Sequence, residues 1–402
     1  MPRMELPQEI KNQARALEEE LVKLRRDFHQ HPELSHREER TAGVVAAYLR
    51  DLGLAVRTGI AGHGVVGLLE GARPGRTVAW RADMDALPLA EKVKVPWRSR
   101  VPGVMHACGH DFHVAIGLAA ARLLSQLKEK LAGRQVFIFQ PAEEGPPGEQ
   151  PSGAKGMVAA GILDNPKVEA ICALHVAPNL EAGHLRCGSE AVMAGADHLV
   201  LTVRGKAAHG ATPHRGVDPI LAAAQALLQI QAFLAQGVDS RSPKVLTFGR
   251  IEGGSRFNIL ADAVNLEGSF RYLSESVRNE VLRGLRRMFE GTSKATGADI
   301  ELAAAPVYPP LSNDPRLAAR SLSLLEALMG PERLKPLQPA MGSEDFSYFA
   351  ARVPAFYFFL GVRPPGARVQ ALHSPTFNPD EAALPWGLTA AAGLLAGLSE
   401  PE

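Results

Sequence analysis

A chain of 402 residues is longer than one hydrophobic core ordinarily serves, so two domains are expected. With 46% apolar and 22% charged residues it lies in the globular range, outside the disordered and fibrous classes. A formal net charge of +1 gives no overall attraction for nucleic acid or anionic membrane, and three cysteines make no even disulfide framework, which favours a reducing compartment.

The N-terminus, MPRMELPQEIKNQ, lacks the apolar core of a signal peptide, so a cytoplasmic protein is expected. Leu17, Leu21, Leu24 and Phe28 recur at helical spacing until His31-Pro32. Ser35 followed by Glu38 has the pattern of a capping box and predicts a second helix through Val44, Val45, Tyr48 and Leu49 that ends at Gly53. Both helices read as structural. Strands are predicted at Val65 to Leu69 and Thr77 to Trp80, separated by a turn at Arg73-Pro74-Gly75. The second runs out into RADMDALPL, which puts Asp83 and Asp85 at the edge of an α/β sheet where ligands bind.

The stretch His106 to His113, HACGHDFH, gathers three histidines, a cysteine and an aspartate. Cys108 and His110 stand two apart, so on an irregular backbone a thiolate and an imidazole can reach one ion, and Gly109 gives the freedom to do so. A helix from Asp111 to Lys130 follows, then a buried strand, Val136 to Phe139, that ends in QPAEEG. Adjacent glutamates cannot share one face of regular structure, so one can bind metal while its neighbour works on the water beside it. Pro146 to Gly156 reads as an active-site loop, with a helix through Met157 to Leu163 behind it. The strand Val168 to Leu174 carries Cys172 as a small core residue and has His175 at its end. Acids, paired glutamates and a histidine thus each follow an apolar strand at one sheet edge.

Near Cys187 to Ala196 the organisation changes. Strand (His198 to Arg204), helix (Asp218 to Ala235), strands (Val245 to Ile251 and Ala263 to Tyr272), helix (Ser276 to Phe289) and strand (Asp299 to Ala303) give the βαββαβ order of a ferredoxin-like domain. It reads as an insertion, with the first domain resuming at Tyr308-Pro309-Pro310. A helix from Pro315 to Met329, the loop MGSEDFSYF, a buried strand Ala355 to Leu360 and His373 in LHSPTF follow, and the last helix starts near Asp380. Its apolar run, Ala383 to Leu398, is too short and too rich in Ala and Gly for a membrane span. The expected division is 1–188 with 305–402 as a catalytic metal-binding domain and 189–304 as an inserted lid and dimerisation domain.

In order along the chain stand DFHQHPELSHRE, RADMDALPL, MHACGHD, QPAEEG, ALHV, GKAAHGATPHRGVDPI, GSFR, GSEDFSYF and LHSP. With them the chain resembles the two-metal aminoacylase and carboxypeptidase family, in its amidohydrolase branch of hippurate hydrolases, N-acyl-amino-acid deacylases and auxin-conjugate hydrolases. The resemblance implies an α/β protein, a catalytic α/β/α domain with a mixed sheet plus the inserted ferredoxin-like domain. It implies two divalent ions per subunit held by Cys108, His110, Glu144, His175 and His373, with Cys108 bridging, Glu143 as general base and Asp85 as supporting acid. Asp83 takes the place of a metal-binding histidine of other branches. His209 resembles a residue that reaches the partner subunit's reacting carbonyl, and Asn258 and Arg271 resemble contacts to a substrate carboxylate. Here Asn258-Ile259-Leu260-Ala261-Asp262 stands where relatives usually have Asn-Val-Ile-Pro-Asp. The resemblance leaves His106, His113 and His214 without a role.

The expected activity is metal-dependent hydrolysis of the amide bond of an N-acyl amino acid, or of a C-terminal peptide bond, by a homodimer or homotetramer. The mixed sulfur, nitrogen and oxygen donors suit Zn, Mn, Co or Ni. Two rivals are a thiol hydrolase with Cys108 as nucleophile and a metal-dependent binder of acylated amino acids that does not cleave them. Glu143 disfavours the binder, which has no use for a base.

Overall fold

The computed structural model describes residues 5–145 and 151–401. It divides into two compact units, Met1–Glu190 with Ser312–Gln338 and Asp345–Glu402, and Ala191–Leu311 with Pro339–Glu344.

The first unit is built on an eight-stranded mixed sheet in the order Ala55–Ile60, Gly64–Glu70, Ala132–Gln140, Arg73–Asp83, Ala170–Glu181, Ala355–Arg363, Leu185–Cys187 and Leu334–Pro336. The strands from Ala132–Gln140 to Ala355–Arg363 pair in parallel, and those before them in the order are antiparallel. A parallel centre is buried on both faces, which is why Val136-Phe137-Ile138-Phe139 and Phe356-Tyr357-Phe358 read as unbroken apolar runs.

Helix Glu18–Gln30 turns Leu21, Arg25, Phe28 and His29 inward, toward helix His110–Gln126. The C-terminal helix, Leu384–Ser399, is apolar nearly all round and packs against both the sheet and helix His110–Gln126. Among the described residues Pro219–Gln236 and Glu381–Ser399 are long and apolar enough to cross a membrane, and the second is 83% buried, as a core helix is.

Several boundaries differ from the sequence expectations for local reasons. Ser35 caps no helix; its hydroxyl donates to Asp85 Oδ2, and the backbone N–H groups of Arg40 and Thr41 at the start of helix Glu39–Asp51 are met by the carboxylate of Glu33. The turn expected at Arg73 to Gly75 lies inside the strand Arg73–Asp83, as a register shift before Thr77. The strand expected to end at Leu174 continues to Glu181, because Ala355–Arg363 pairs alongside it past His175. The helix behind the glutamate loop is Gly153–Ala159, capped by Ser152 Oγ, and not Met157 to Leu163. Part of the expected loop, 146–150, lies outside the described residues.

In the second unit Asp299–Tyr308, Gly195–Arg204, Ala263–Tyr272 and Lys244–Gly253 form an antiparallel sheet in that order. With helices Pro219–Gln236 and Glu275–Thr296 this is the ferredoxin-like βαββαβ arrangement. Leu201, Phe270, Tyr272, Leu285 and Phe289 form its separate core. Asp218 caps the first helix through Ile220 N and Leu221 N, with Pro219 at its first position. The second helix runs past Phe289 to Thr296 and stops at the left-handed Gly297, and the last strand continues to Tyr308 along Gly195–Arg204.

Candidate metal centre

Parallel pairing sets Asp83 opposite Gln140, so the strands that carry them end level. Asp85 follows one end by two residues, and Glu143 and Glu144 follow the other. The neighbouring strand pairs with Arg73–Asp83 only as far as Ala173, which leaves His175 just beyond that contact. The loop from His106 enters the same edge through Gly109, whose φ of 85° turns Cys108 into helix His110–Gln126. A Cβ on Gly109 would come within 2.5 Å of Val176, so glycine is required for conformation and for space.

The sheet edge thereby gathers seven of the expected residues: Asp85, Cys108, His110, Glu143, Glu144, His175 and His373. Cys108 Sγ lies 3.3 Å from His175 Nε2 and 3.3 Å from His373 Nε2, and His373 Nε2 lies 3.0 Å from Glu144 Oε1. Two three-residue sets share the thiol: Cys108 with His110 and His175, and Cys108 with Glu144 and His373, the donor atoms of each lying within 4.8 Å of one another. Glu143 forms a further such set with His110 and Glu144. His373 has a φ of 58°, unusual outside glycine, and its N–H donates to Ala107 O, which ties it to the Cys108 loop.

The surroundings orient these donors. His110 Nδ1 donates to Asp85 O at 2.9 Å and His175 Nδ1 to Val176 O at 2.8 Å, so in each neutral ring the Nε2 lone pair faces the cluster. Asp85 Oδ2 accepts from Ser35 Oγ at 2.6 Å and from Glu144 N at 2.9 Å. Asp83 is already neutralised: Arg81 Nη1 donates at 2.5 Å and His113 Nδ1 at 2.5 Å, while His113 Nε2 accepts from Val176 N at 3.1 Å. Behind the loop, Asp111 accepts from Arg25 Nε at 2.9 Å and from His29 Nδ1 at 2.7 Å, pinning the helix start to helix Glu18–Gln30.

Electrostatics show a site short of positive charge. Burial and the carboxylates of Glu144 and Glu143 push the Cys108 thiol well above its ordinary range. Burial alone would lower His110, yet Asp83 and Asp85 outweigh it and raise the ring to about 10. A nucleophilic thiolate needs the opposite field, whereas a bound cation would relieve this one. His110 Nε2 is buried without a hydrogen-bond partner, with Asp83 Oδ2 at 3.7 Å, as a ligand atom reserved for an ion would be. The residues fit divalent metal.

In the second unit, the stretch about His209 runs beside the stretch about Asn258: Gly210 N donates to Asn258 O at 2.8 Å, Leu260 N donates to Ala208 O at 2.9 Å, and His209 bridges Ile259. Both His209 and Asn258 are exposed. Ala211 N donates to His209 Nδ1 at 3.1 Å, which leaves Nε2 to carry the proton of the neutral ring. The pairing of Asn258 is backbone-made and survives without the proline usual at Ala261. Arg271 is half-buried and held by hydroxyls, its Nε donating to Ser269 Oγ at 3.3 Å and its Nη1 to Ser343 Oγ.

Sequence reasoning missed Arg81 and Glu38 and left His113 without a position. Arg81 sits inside an apolar strand that gives no hint of its bonds to Asp83, Gln140 and Asp345. Glu38 was read only as a capping residue. Its carboxylate is fully buried and accepts from Ala142 N at 2.8 Å; burial, and then the charge of Asp85, raise it to about 7.

The profile of peptidase family M20/M25/M40 matches residues 79–396. Thermostable carboxypeptidase 1 of Saccharolobus solfataricus is 36% identical over 393 residues, covering 97% of this chain and 98% of that protein. N-acetyl-L-cysteine deacetylase of Bacillus subtilis is 34% identical over 372 residues, covering 92% and 85%. A solved dinuclear metal binding peptidase from Bacillus subtilis superposes with a TM-score of 0.83 at 30% identity, covering 96% of this chain and 99% of that one.

Proposed function

The chain belongs to peptidase family M20/M25/M40 and is a metal-dependent amide hydrolase, and we propose that it cleaves N-acyl amino acids or C-terminal peptide bonds at a dinuclear centre in its first unit. The reading is supported above all by the two ligand sets that share Cys108. In it His110 and His175 complete one set, and Glu144 and His373 the other, while the second unit serves as lid and dimerisation domain. Of Zn, Mn, Co and Ni, none is preferred by the donor types.

Bound divalent ions would activate water and polarise the scissile carbonyl. Glu143 accepts the proton of the attacking water and delivers it to the leaving nitrogen, so one carboxylate acts as base and then as acid. Asp85 orients His110 through Nδ1 and fixes the Glu144 backbone. Arg271 and Asn258 bind the carboxylate of the substrate, and His209 Nε2–H donates to the developing oxyanion.

Similarity to a carboxypeptidase and to an N-acetyl-L-cysteine deacetylase supports a substrate with a free carboxylate beside the amide. Chelation followed by addition of single metals, assayed on N-acetyl, N-benzoyl and N-indoleacetyl amino acids beside blocked dipeptides, tests the chemistry. Hydrolysis should vanish on chelation and return with one of the metals. Hydrolysis that persists in the metal-free protein would establish the Cys108 thiol mechanism instead.

Arg271 carries the demand for that carboxylate. Ser269 and Ser343 hold the guanidinium through neutral hydroxyls, and its planar fork suits bidentate grip on a carboxylate where a lysine does not. Arg271→Lys should lower kcat/KM for N-acyl amino acids by about tenfold to a hundredfold, with little change for the corresponding amides. Equal losses on acid and amide would remove this role.

A homodimer through the second unit is part of the proposal. Its edge strand Lys244–Gly253 exposes Val245 and Ile251, and helix Pro219–Gln236 exposes Ile220, Leu221 and Leu228, the last at 75%. An edge strand beside exposed apolar side chains suits strand-to-strand pairing with a second copy.

A further inference from the structure

Glu38 stands at the start of helix Glu39–Asp51, yet Glu33 meets that helix's first N–H groups, accepting from Arg40 N at 3.0 Å and from Thr41 N at 2.8 Å. Glu38 is thereby left to reach a distant loop, where Oε1 accepts from Ala142 N at 2.8 Å, as well as from His36 N at 3.0 Å. Ala142 is fully buried and left-handed, with a φ of 51°, and it immediately precedes Glu143 and Glu144. Its own carbonyl accepts from Gly153 N at 3.0 Å. Two residues on, Glu144 N donates to Asp85 Oδ2, the oxygen that Ser35 Oγ also holds. The segment from Glu33 to Glu38 thus grips the glutamate loop on both sides of Glu143.

We propose that Glu38 is a positioning residue for the paired glutamates, holding Ala142 in the left-handed turn that aims Glu143 and Glu144 at the cluster. The inference rests on the reading of Glu143 as base and Glu144 as ligand. A left-handed alanine persists only where its surroundings over-determine it, and a buried N–H needs an acceptor. Glu38 meets both demands. Without it, Ala142 relaxes toward the right-handed or extended region, and the side chains that follow swing with it. A shift of about 1 Å at a reacting group costs on the order of a hundredfold in rate.

The test compares Glu38→Ala, Glu38→Asp and Glu38→Gln in the full chain, with Zn affinity measured by chelator competition without substrate and kcat and KM measured separately. Glu38→Ala should lower Zn affinity about ten- to a hundredfold and kcat on the order of a hundredfold, with KM within about threefold of the parent. Glu38→Asp, a methylene short of Ala142, should follow Glu38→Ala. Glu38→Gln retains the acceptor oxygen and should stay within about threefold of the parent in Zn affinity and kcat.

Parental Zn affinity and kcat in Glu38→Ala would overturn the proposal, and so would a Glu38→Gln protein as impaired as Glu38→Ala, since charge and not the acceptor would then matter. If neither Glu38→Ala nor Glu38→Asp folds, Glu38 serves the fold and the proposal fails. If the parent prefers Mn, Co or Ni the same comparison is made with that ion, and a parent chain that binds none of the four would instead remove the reading of the centre itself.

Discussion

Replacing Glu143 by Gln should abolish turnover while leaving both metals bound. The two glutamates are adjacent, yet in the proposed reading they have separate partners: Glu144 lies 3.0 Å from His373 Nε2 and belongs to the set that includes Cys108. Glu143 lies outside both shared-thiol sets, and the set it forms with His110 and Glu144 draws on two residues that those sets already use. A carboxamide keeps the shape of Glu143 but has no basicity, so the water proton has no acceptor and the leaving nitrogen no donor. General acid–base catalysis is worth roughly two to four orders of magnitude, and a residue that acts in both steps should lie toward the upper end. Metal content of the purified Glu143→Gln protein distinguishes base from ligand. A protein that has lost one ion would mean that Glu143 binds metal and that the two roles are reversed.

Most of this centre could be read from sequence because strands in a parallel sheet end together. Asp85, the pair Glu143 and Glu144, and His175 each follow an apolar run, and parallel pairing carries these three runs to one edge. His175 lies at this edge, but not because its strand ends there. Its strand does not stop there; its neighbour on one side does, and a single sequence shows no neighbour. Composition and turn signals give strand starts, whereas strand ends depend on which partner continues alongside, as with Ala170–Glu181 and Asp299–Tyr308.

The supporting residues were harder to read for a related reason. Arg81 and Glu38 earn their places through bonds to residues 264 and 104 positions away, and each sits in a local pattern that already has an ordinary explanation. Arg81 interrupts an apolar strand, and Glu38 completes an apparent capping box. The latter pattern was misleading because Glu33, five residues upstream, supplies the helix cap and frees Glu38 for Ala142. His113 shares one helical turn with His110 but pairs with Asp83, so identical side chains three residues from one another serve different oxygens. Spacing could propose either histidine as a ligand; only the positions of Asp83 and Asp85 separate them.

His209→Ala should lose about a hundred- to a thousandfold in kcat, the usual worth of a donor aimed at a developing oxyanion, without loss of metal. His209 belongs to the second unit, is exposed, and has Nδ1 occupied by Ala211 N, so Nε2–H is the group available to a substrate. In the proposed dimer it acts in the partner's centre, which makes a complementation experiment possible. Subunits carrying His209→Ala are mixed with subunits carrying Glu143→Gln, each nearly inactive alone. In a heterodimer one centre combines Glu143 of the first chain with His209 of the second and should work, while the other lacks both. Random exchange of equal amounts makes about half the dimers mixed, each with one working centre, so activity should recover to about a quarter of the parent. Subunit exchange is followed independently by mass or by a fluorescent label. Full exchange with no recovery would show that His209 serves its own chain, and the dimer would then be unnecessary for chemistry.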